Sequence, residues 1–370
     1  MTFSIRIITT EREFAELAGA WDALVAHAVD ANTFLTHGWL YSWWRCYRPS
    51  AQLRIVLAER GGALLGIAPL MIQREGGLER ALRRLRFIGD GTSETDHMNF
   101  IVSEDERSDV LAALLDAIDR LGWDVAYFSQ MPECSANTLQ LLEHAGRRGW
   151  LLDHLAVACP RRRLPASYDE LLRSLPGRLR TSIRSSRREL EARHRVEFGL
   201  VQLKAEVAPA LEALYKNHAS RWQAKGEEGV FVSVRKRAFY EELSYRLLDA
   251  GALRFFHLKV DDRVVAQQYC FAHRQTVYLL QEGFDHDFAR QNVGNVLRAM
   301  VFERLIADGA ETYDFLAGTS RHKQSWSDSV PNDLVVRAFR RNLLGRLAHG
   351  FANARRSLSR SVKLTDDAPA

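Results

Sequence analysis

Arg290, Gln291, Asn292, Val293, Gly294 and Asn295 stand between an apolar strand pattern, Thr276–Phe284, and a helical pattern that begins near Val296. A second buried strand pattern, Thr312–Leu316, follows the helix. Strand, turn, helix and strand in this order make an anion site. The first N–H groups of a helix have no intrahelical partner and carry a partial positive charge, so a pyrophosphate placed there gains ~0.3–2 kcal/mol from the dipole. A glycine at Gly294 would let the ligand approach the backbone closely. Asp314 lies inside the apolar run Tyr313–Leu316, where a carboxylate is costly unless it is paired. It is read either as a base or as a partner of Lys323 or of a backbone amide.

The elements that must position these groups repeat along the chain. LRIVLAER-GG-ALLGIAPLMI, from Leu53 to Ile72, aligns without a gap on LRFFHLKV-DD-RVVAQQYCFA, from Leu253 to Ala272. Each reads as a hairpin with a two-residue turn, Gly61-Gly62 in one and Asp261-Asp262 in the other. Downstream, Asp109–Leu121 has helical periodicity and runs into Gly122 and the strand Val125–Ser129; Val296–Asp308 runs into Gly309 and Thr312–Leu316. The two halves differ at the helix start. Ser103–Asp109 has no glycine and carries Glu104, Asp105, Glu106 and Asp109, which suit a helix N-terminus but repel phosphate. Only the second copy is competent for an anion.

At 370 residues the chain exceeds the ~250–300 at which one core stops growing, so more than one domain is expected. The expected plan is an N-terminal domain over 1–160, a basic linker and helix over 161–200, a C-terminal domain over 201–336 and a basic amphipathic helix with a disordered tail over 337–370. A hydrophobic content of 46% with 26% charged residues is ordinary for a globular protein, and the net charge of +5 is concentrated in 161–195 and 337–363. No run has the length of a signal peptide or a membrane span, which points to a cytoplasmic protein. Cys46, Cys134, Cys159 and Cys270 show no metal-ligand spacing and are expected to be reduced and buried, with no metal. In the middle segment Arg180, Arg184 and Arg187 share a helix face, either as a solvated linker helix or as a basic wall over an anionic ligand.

Taken together, FLTHGWLYSWWRCY, FIGDGTSETDHMNF, the Arg-rich middle segment, LLQEGFD, VGNVL, DGAETYDFLAG and HKQSW resemble the CelD/BioF2-like acyltransferases of the GNAT superfamily over roughly residues 30–330. That family is similar to the Fem-type aminoacyl-tRNA-dependent peptidyltransferases, which carry two GNAT-like domains in tandem. The resemblance implies an α/β fold of two tandem GNAT-like domains, with mixed, mostly antiparallel sheets flanked by helices. It implies transfer of an acyl group, acetyl first among the candidates, from acetyl-CoA or another acyl-CoA to an amine or hydroxyl. The acceptor would be a small molecule or saccharide of polysaccharide or cell-envelope biosynthesis.

The GNAT pyrophosphate loop is commonly Gln/Arg-x-x-Gly-x-Gly/Ala. Gln291–Val296 matches its first four positions and departs at Val296, a β-branched residue expected to crowd the helix start and to leave an acyl-carrier protein or a charged tRNA open as donor. By the same resemblance, Thr276–Phe284 would offer backbone N–H groups to the thioester carbonyl. Glu282 would act as general base, and Tyr278 or Tyr313 as acid for the leaving thiolate. Lys323 and Trp326 match the family's Lys-x-x-aromatic pattern and are expected to bind the acceptor, together with Asp96 and His97 of the first half. The cluster of Trp39, Tyr41, Trp43, Trp44 and Tyr47 is read as packing for the first helix, or as a sugar or lipid platform.

Two other readings stay open: a Fem-type peptidyltransferase, and a non-catalytic module that binds a nucleotide sugar. The arginines lack the interleaved aromatics of a single-strand platform, so DNA is not an expected partner. Apolar residues at Leu343, Leu347, Phe351, Ala354, Leu358 and Val362 give 340–363 the pattern of a helix that lies on an anionic membrane or caps the preceding domain.

Overall fold

A computed structural model describes residues 3–47, 50–74, 82–223 and 229–366, and the chain divides into two compact units. The first contains Met1–Trp44, Arg48–Val157 and Asp333–Ala370; the second contains Arg45–Tyr47 and Ala158–Asn332.

In the first unit, β1 (Ser4–Ile8), β3 (Ile55–Arg60), β4 (Ala63–Ala68) and β7 (Ile101–Val102) form an antiparallel four-stranded sheet in the order β1-β3-β4-β7. A six-stranded sheet is built from β2 (Ala51–Leu53), β5 (Leu70–Gln73), β6 (Arg84–Phe87), β8 (Val125–Pro132), β16 (Asn332–Phe339) and β9 (Leu151–Ala158), in that order. The helices are α1 (Glu11–Glu16), α2 (Ala18–His27), α3 (His37–Tyr47), α4 (Arg107–Arg120), α5 (Ala136–Arg147) and, at the end of the chain, α12 (Leu343–Asp366). Trp39 and Trp43 of α3 are buried, and their indole N–H groups donate to Thr95 and Thr92. These two tryptophans are packing, as read.

The second unit has one six-stranded sheet. Its order is β10 (Arg161–Arg163), β15 (Thr312–Asp314), β14 (Thr276–Phe284), β13 (Arg263–His273), β12 (Leu253–Val260) and β11 (Val196–Leu200). All neighbours are antiparallel except β14 and β15. Its helices are α6 (Tyr168–Ser174), α7 (Gly177–Arg193), α8 (Lys204–Gln223), α9 (Val234–Asp249), α10 (Val293–Ala307) and α11 (Arg321–Trp326). The central strand β13 is buried from Val265 to Phe271, an apolar run interrupted only by Gln267 and Gln268. Val296, Leu297, Val301, Phe302 and Leu305 of α10 enter the same core as Ile183 and Leu190 of α7. A Schellman motif ends α10, with Ala310 N–H donating to Leu305 O and Gly309 N–H to Ile306 O at a φ of 78°.

The repeat seen in the sequence extends to fine geometry. β3–β4 has a register shift at Ala58/Glu59 and β12–β13 has one at Leu258/Lys259, which are equivalent positions of the alignment. Both hairpin turns have two consecutive residues at positive φ, 58° and 84° at Gly61 and Gly62, and 48° and 70° at Asp261 and Asp262. β6 pairs parallel with β8, and β14 parallel with β15. In the first half, however, the second hairpin strand breaks after Ala68, and Leu70–Gln73 continues in the other sheet. Pro69 lies at this break and has no N–H for a ladder.

The expected plan changes at two boundaries. Residues 161–200 are part of the second unit: β10 is an edge strand of its sheet, and the buried Leu171, Ile183 and Leu190 hold α6 and α7 on its core. After Asn332 the chain returns to the first unit, where β16 pairs with β8. The cysteines are free, but Cys134 is exposed and Cys46 only half-buried, because neither side chain lies on a fully covered face. The tail after Asp366, expected to be disordered, lies outside the described residues.

Candidate active site

The site begins with an end of pairing. β15 meets β14 only from Thr276 to Tyr278, so from Leu279 to Phe284 the edge of β14 that faces β15 has no strand partner among the described residues. Beside this open edge is a cavity of about 290 Å³, lined by Gln267, Gln268, Glu282, Gly283, Asn292, Gly294 and His322 among others. The short turn His286–Gln291 leads to α10, which starts at Val293, three residues earlier than its periodicity indicates.

Asn292 precedes the helix with a left-handed backbone (φ 56°) and gives it no side-chain cap. Its side chain is engaged elsewhere: Nδ2 donates to Ser182 Oγ at 3.1 Å, and Oδ1 accepts from Asn295 Nδ2 at 2.8 Å. The Val293 and Gly294 N–H groups, too early in the helix for an intrahelical bond, are therefore available for an anion. A Cβ built on Gly294 would meet only Phe284 Cδ1, at 3.8 Å. The space over Gly294 is thus free for a ligand. Gln268 is 1% exposed; its Oε1 accepts from Tyr313 OH at 2.9 Å, while its Nε2 lacks a protein partner. A buried donor without a partner on a cavity wall is costly unless something in the cavity accepts from it.

Glu282, Arg298 and His322 form the ionisable group of the site. Arg298 is fully buried in α10; its Nη2 donates to Glu282 Oε2 and its Nη1 lies 2.5 Å from His322 Nε2. Its guanidinium also lies over the rings of Phe315 and Trp326, at 5.2 and 5.8 Å. His322 Nδ1 is 3.4 Å from Glu282 Oε1. Arg298 Nη1 also lies 3.0 Å from His322 Nδ1, so the guanidinium approaches the ring between its two nitrogens. The result is a carboxylate and an imidazole side by side on a cavity wall, braced from behind by a buried guanidinium.

The cavity gathers Glu282, Asn292, Val293, Gly294 and Asn295 and leaves the other expected residues outside its lining. Arg290 is exposed, and Gln291 faces a small surface pocket with Ser186, Leu190 and Arg193. Val296 does not crowd the helix start, because its side chain points into the core with no exposed surface. Asp314 is fully buried and outside the cavity lining; it accepts from Arg161 Nε at 2.5 Å and, as one of its readings expected, from a backbone amide, Leu316 N–H at 2.8 Å. Tyr278 stacks on Phe271, and burial pushes its phenol far above the usual range, so it is a poor proton donor.

Lys323 Nζ donates to the carbonyls of Leu316 and Ala317, and Trp326 is buried with Nε1 donating to Asn295 Oδ1 at 2.9 Å. This pair braces the loop and the helix start. Asp96 and His97 are buried in the first unit, where His97 Nδ1 lies 2.7 Å from Asp333 Oδ2. His97 has a φ of 48°, so this segment is a turn and not a strand. Sequence reasoning passed over Arg298 and His322. Arg298 had a signal, a lone charge within the apolar run VGNVLRAMVF. Gln267-Gln268, inside a buried strand pattern, is the same kind of signal.

Residues 177–324 match the family described as an acetyltransferase (GNAT) domain. The chain carries a GNAT acyltransferase domain. The matched span holds β14, the open edge, α10 and His322, and the cavity lies within it. No curated protein matches the chain by sequence. Among solved structures it is similar to FemX, with 12% identity, coverage of 90% of this chain and 96% of that one, and a TM-score of 0.63. It is similar to the C-terminal domain of a putative lysylphosphatidylglycerol synthetase from Agrobacterium fabrum (14% identity, 93% and 97% coverage, TM-score 0.53). L-PGS from Bacillus licheniformis is a third likeness (12%, 88% and 92%, TM-score 0.53). At these identities the likeness is one of fold. It spans both units and agrees with the hairpin and parallel strand pair repeated in them.

Proposed function

We propose that the GNAT domain transfers an acyl group from an acyl-CoA thioester to an amine or hydroxyl acceptor in the cavity at the start of α10. One observation carries this reading: the open edge of β14, the uncapped helix start with free space over Gly294, and the Glu282–His322 pair all meet at one cavity. The donor supplies an activated carbonyl. Val293 and Gly294 N–H bind the donor's pyrophosphate, and Gln268 Nε2 is a further donor inside the cavity.

The acceptor's nitrogen or oxygen attacks the thioester carbonyl carbon, and the backbone of β14 beyond Tyr278 receives the developing oxyanion. The acceptor's proton passes to the Glu282–His322 pair, the carbon–sulfur bond breaks, and the thiol leaves with a proton returned by the pair. His322, with 38% of its side chain exposed, is the member that meets the acceptor, and Arg298 holds Glu282 in place. An acceptor drawn from saccharides or envelope precursors rests on the family resemblance.

A second donor, an aminoacyl-tRNA, is favoured by one feature: Arg178, Arg184 and Arg188 are exposed on α7, the helix whose Ser182 accepts from Asn292. Both donors are tested in one experiment. Purified protein is offered labelled acetyl-CoA or labelled aminoacyl-tRNA with a panel of amines and sugars. The proposal expects transfer from the thioester and a loss of about 10²–10⁴-fold in kcat on His322→Ala with the donor KM little changed. Transfer only from tRNA, or an unchanged kcat in His322→Ala, would refute it.

A further inference from the structure

We propose that α12 is a surface helix that docks the protein reversibly on an anionic lipid bilayer. Leu343, Leu347 and Phe351 stand four residues apart along the helix and are 74%, 50% and 70% exposed. Ala354, Leu358 and Val362 continue this spacing in the sequence. Residues three and four apart share a helix face, so Leu343, Leu347 and Phe351 present an exposed apolar stripe, a feature that marks an interaction surface.

Charge decides what covers it. From Arg341 to Lys363 there are six basic residues and no Asp or Glu. A second copy of this helix would bring like charges together without the acidic partners that join paired helices. An anionic lipid surface supplies the missing sign and accepts the apolar stripe at the boundary between headgroups and acyl chains. Insertion across the bilayer is not the mode, because no helix among the described residues is long and apolar enough to cross a membrane.

The base of the helix is fixed while its apolar face stays outward. Asn342 Nδ2 donates to Asp124 Oδ1 at 2.9 Å, and Asn342 Oδ1 accepts from Gly345 N–H at 2.8 Å. The rings of Phe339 and His349 pack at 5.1 Å. The stripe is thus presented from an anchored start and not from a loose tail.

The test is flotation of the full-length protein with vesicles of mixed phosphatidylglycerol and phosphatidylcholine, beside vesicles of phosphatidylcholine alone. The protein should float with the mixed vesicles only and be released by high salt. Leu347→Asp with Phe351→Asp should abolish flotation. Arg355→Glu with Arg356→Glu leaves the apolar stripe intact and should weaken it at least about twentyfold, since each basic residue near an anionic surface strengthens binding about fivefold. Unfolding midpoints equal to that of the parent protein would show that the variants fold. Absence of flotation on anionic vesicles, or equal flotation on both kinds, would overturn the proposal. So would a dimer in light scattering that Phe351→Asp dissociates while vesicle binding is absent.

Discussion

Arg298 has no exposed surface in the middle of an apolar helix, whereas its partner Glu282 retains 28% of its side-chain surface. That asymmetry predicts the behaviour of two variants. Removing the partner leaves a buried charge unpaired, so Glu282→Gln should destabilise the second unit by about 3–5 kcal/mol. Arg298→Met fills much of the same volume and leaves only a carboxylate that can reach solvent, so it should change stability by less than about 1.5 kcal/mol while kcat falls. Denaturant titration of both variants decides this, and a larger loss in Arg298→Met would contradict the assignment. In the sequence Glu282 stood out as a carboxylate near the end of an apolar strand, Thr276–Phe284. The role of Arg298 was not, because nothing in a sequence says that an i+4 residue of the helix folds back onto that carboxylate. Asp314 shows the converse: its burial was legible, but its partner Arg161 is more than 150 residues away and joins it only through the β10–β15 pairing.

Among the elements, β12 and β13 carry a titration signature. Burial pushes His257 and His273 below the ordinary histidine range, with Lys259 and Arg274 beside them adding to the shift. Both rings are therefore neutral in the fold, while in the unfolded chain they take up protons near pH 6.5. The unfolded state then binds more protons below that pH, so the stability contributed by the neutral rings is complete above about pH 6.5 and is lost as pH falls toward the folded values. The thermal midpoint of the second unit should drop between pH 7.5 and 5.5, and His257→Asn with His273→Asn should reduce the drop; an equal drop in the double variant would contradict it. The hairpin itself was readable, since alternation and two turn residues specify it locally. The division of the first copy between two sheets was not, because Pro69 marks a break without saying which sheet the chain joins next.

At the scale of the whole molecule, one plan is used twice and the copies differ at a helix start. Both α4 and α10 begin after a left-handed residue that gives no side-chain cap, but the residue before α4 is Glu106, a carboxylate paired with Arg60, whereas α10 begins with open space over Gly294. The number and order of the repeated elements could be read from the sequence, because hairpin turns, helix periodicity and the closing glycines are local. The return of β16 to the first unit could not, because strand pairing across some 200 residues leaves no local mark. The central claim is that the copy at Gly294, and only that copy, binds an acyl-CoA. Calorimetric titration of the full chain with acetyl-CoA tests it most directly, alongside Gly294→Glu, a change that meets no protein atom closer than 3.8 Å at its Cβ and puts a negative charge on the helix start. The predicted result is one site per chain in the parent protein and at least about tenfold weaker binding in a normally folded Gly294→Glu. Two sites per chain, no binding by the parent, or equal binding by both proteins would contradict it.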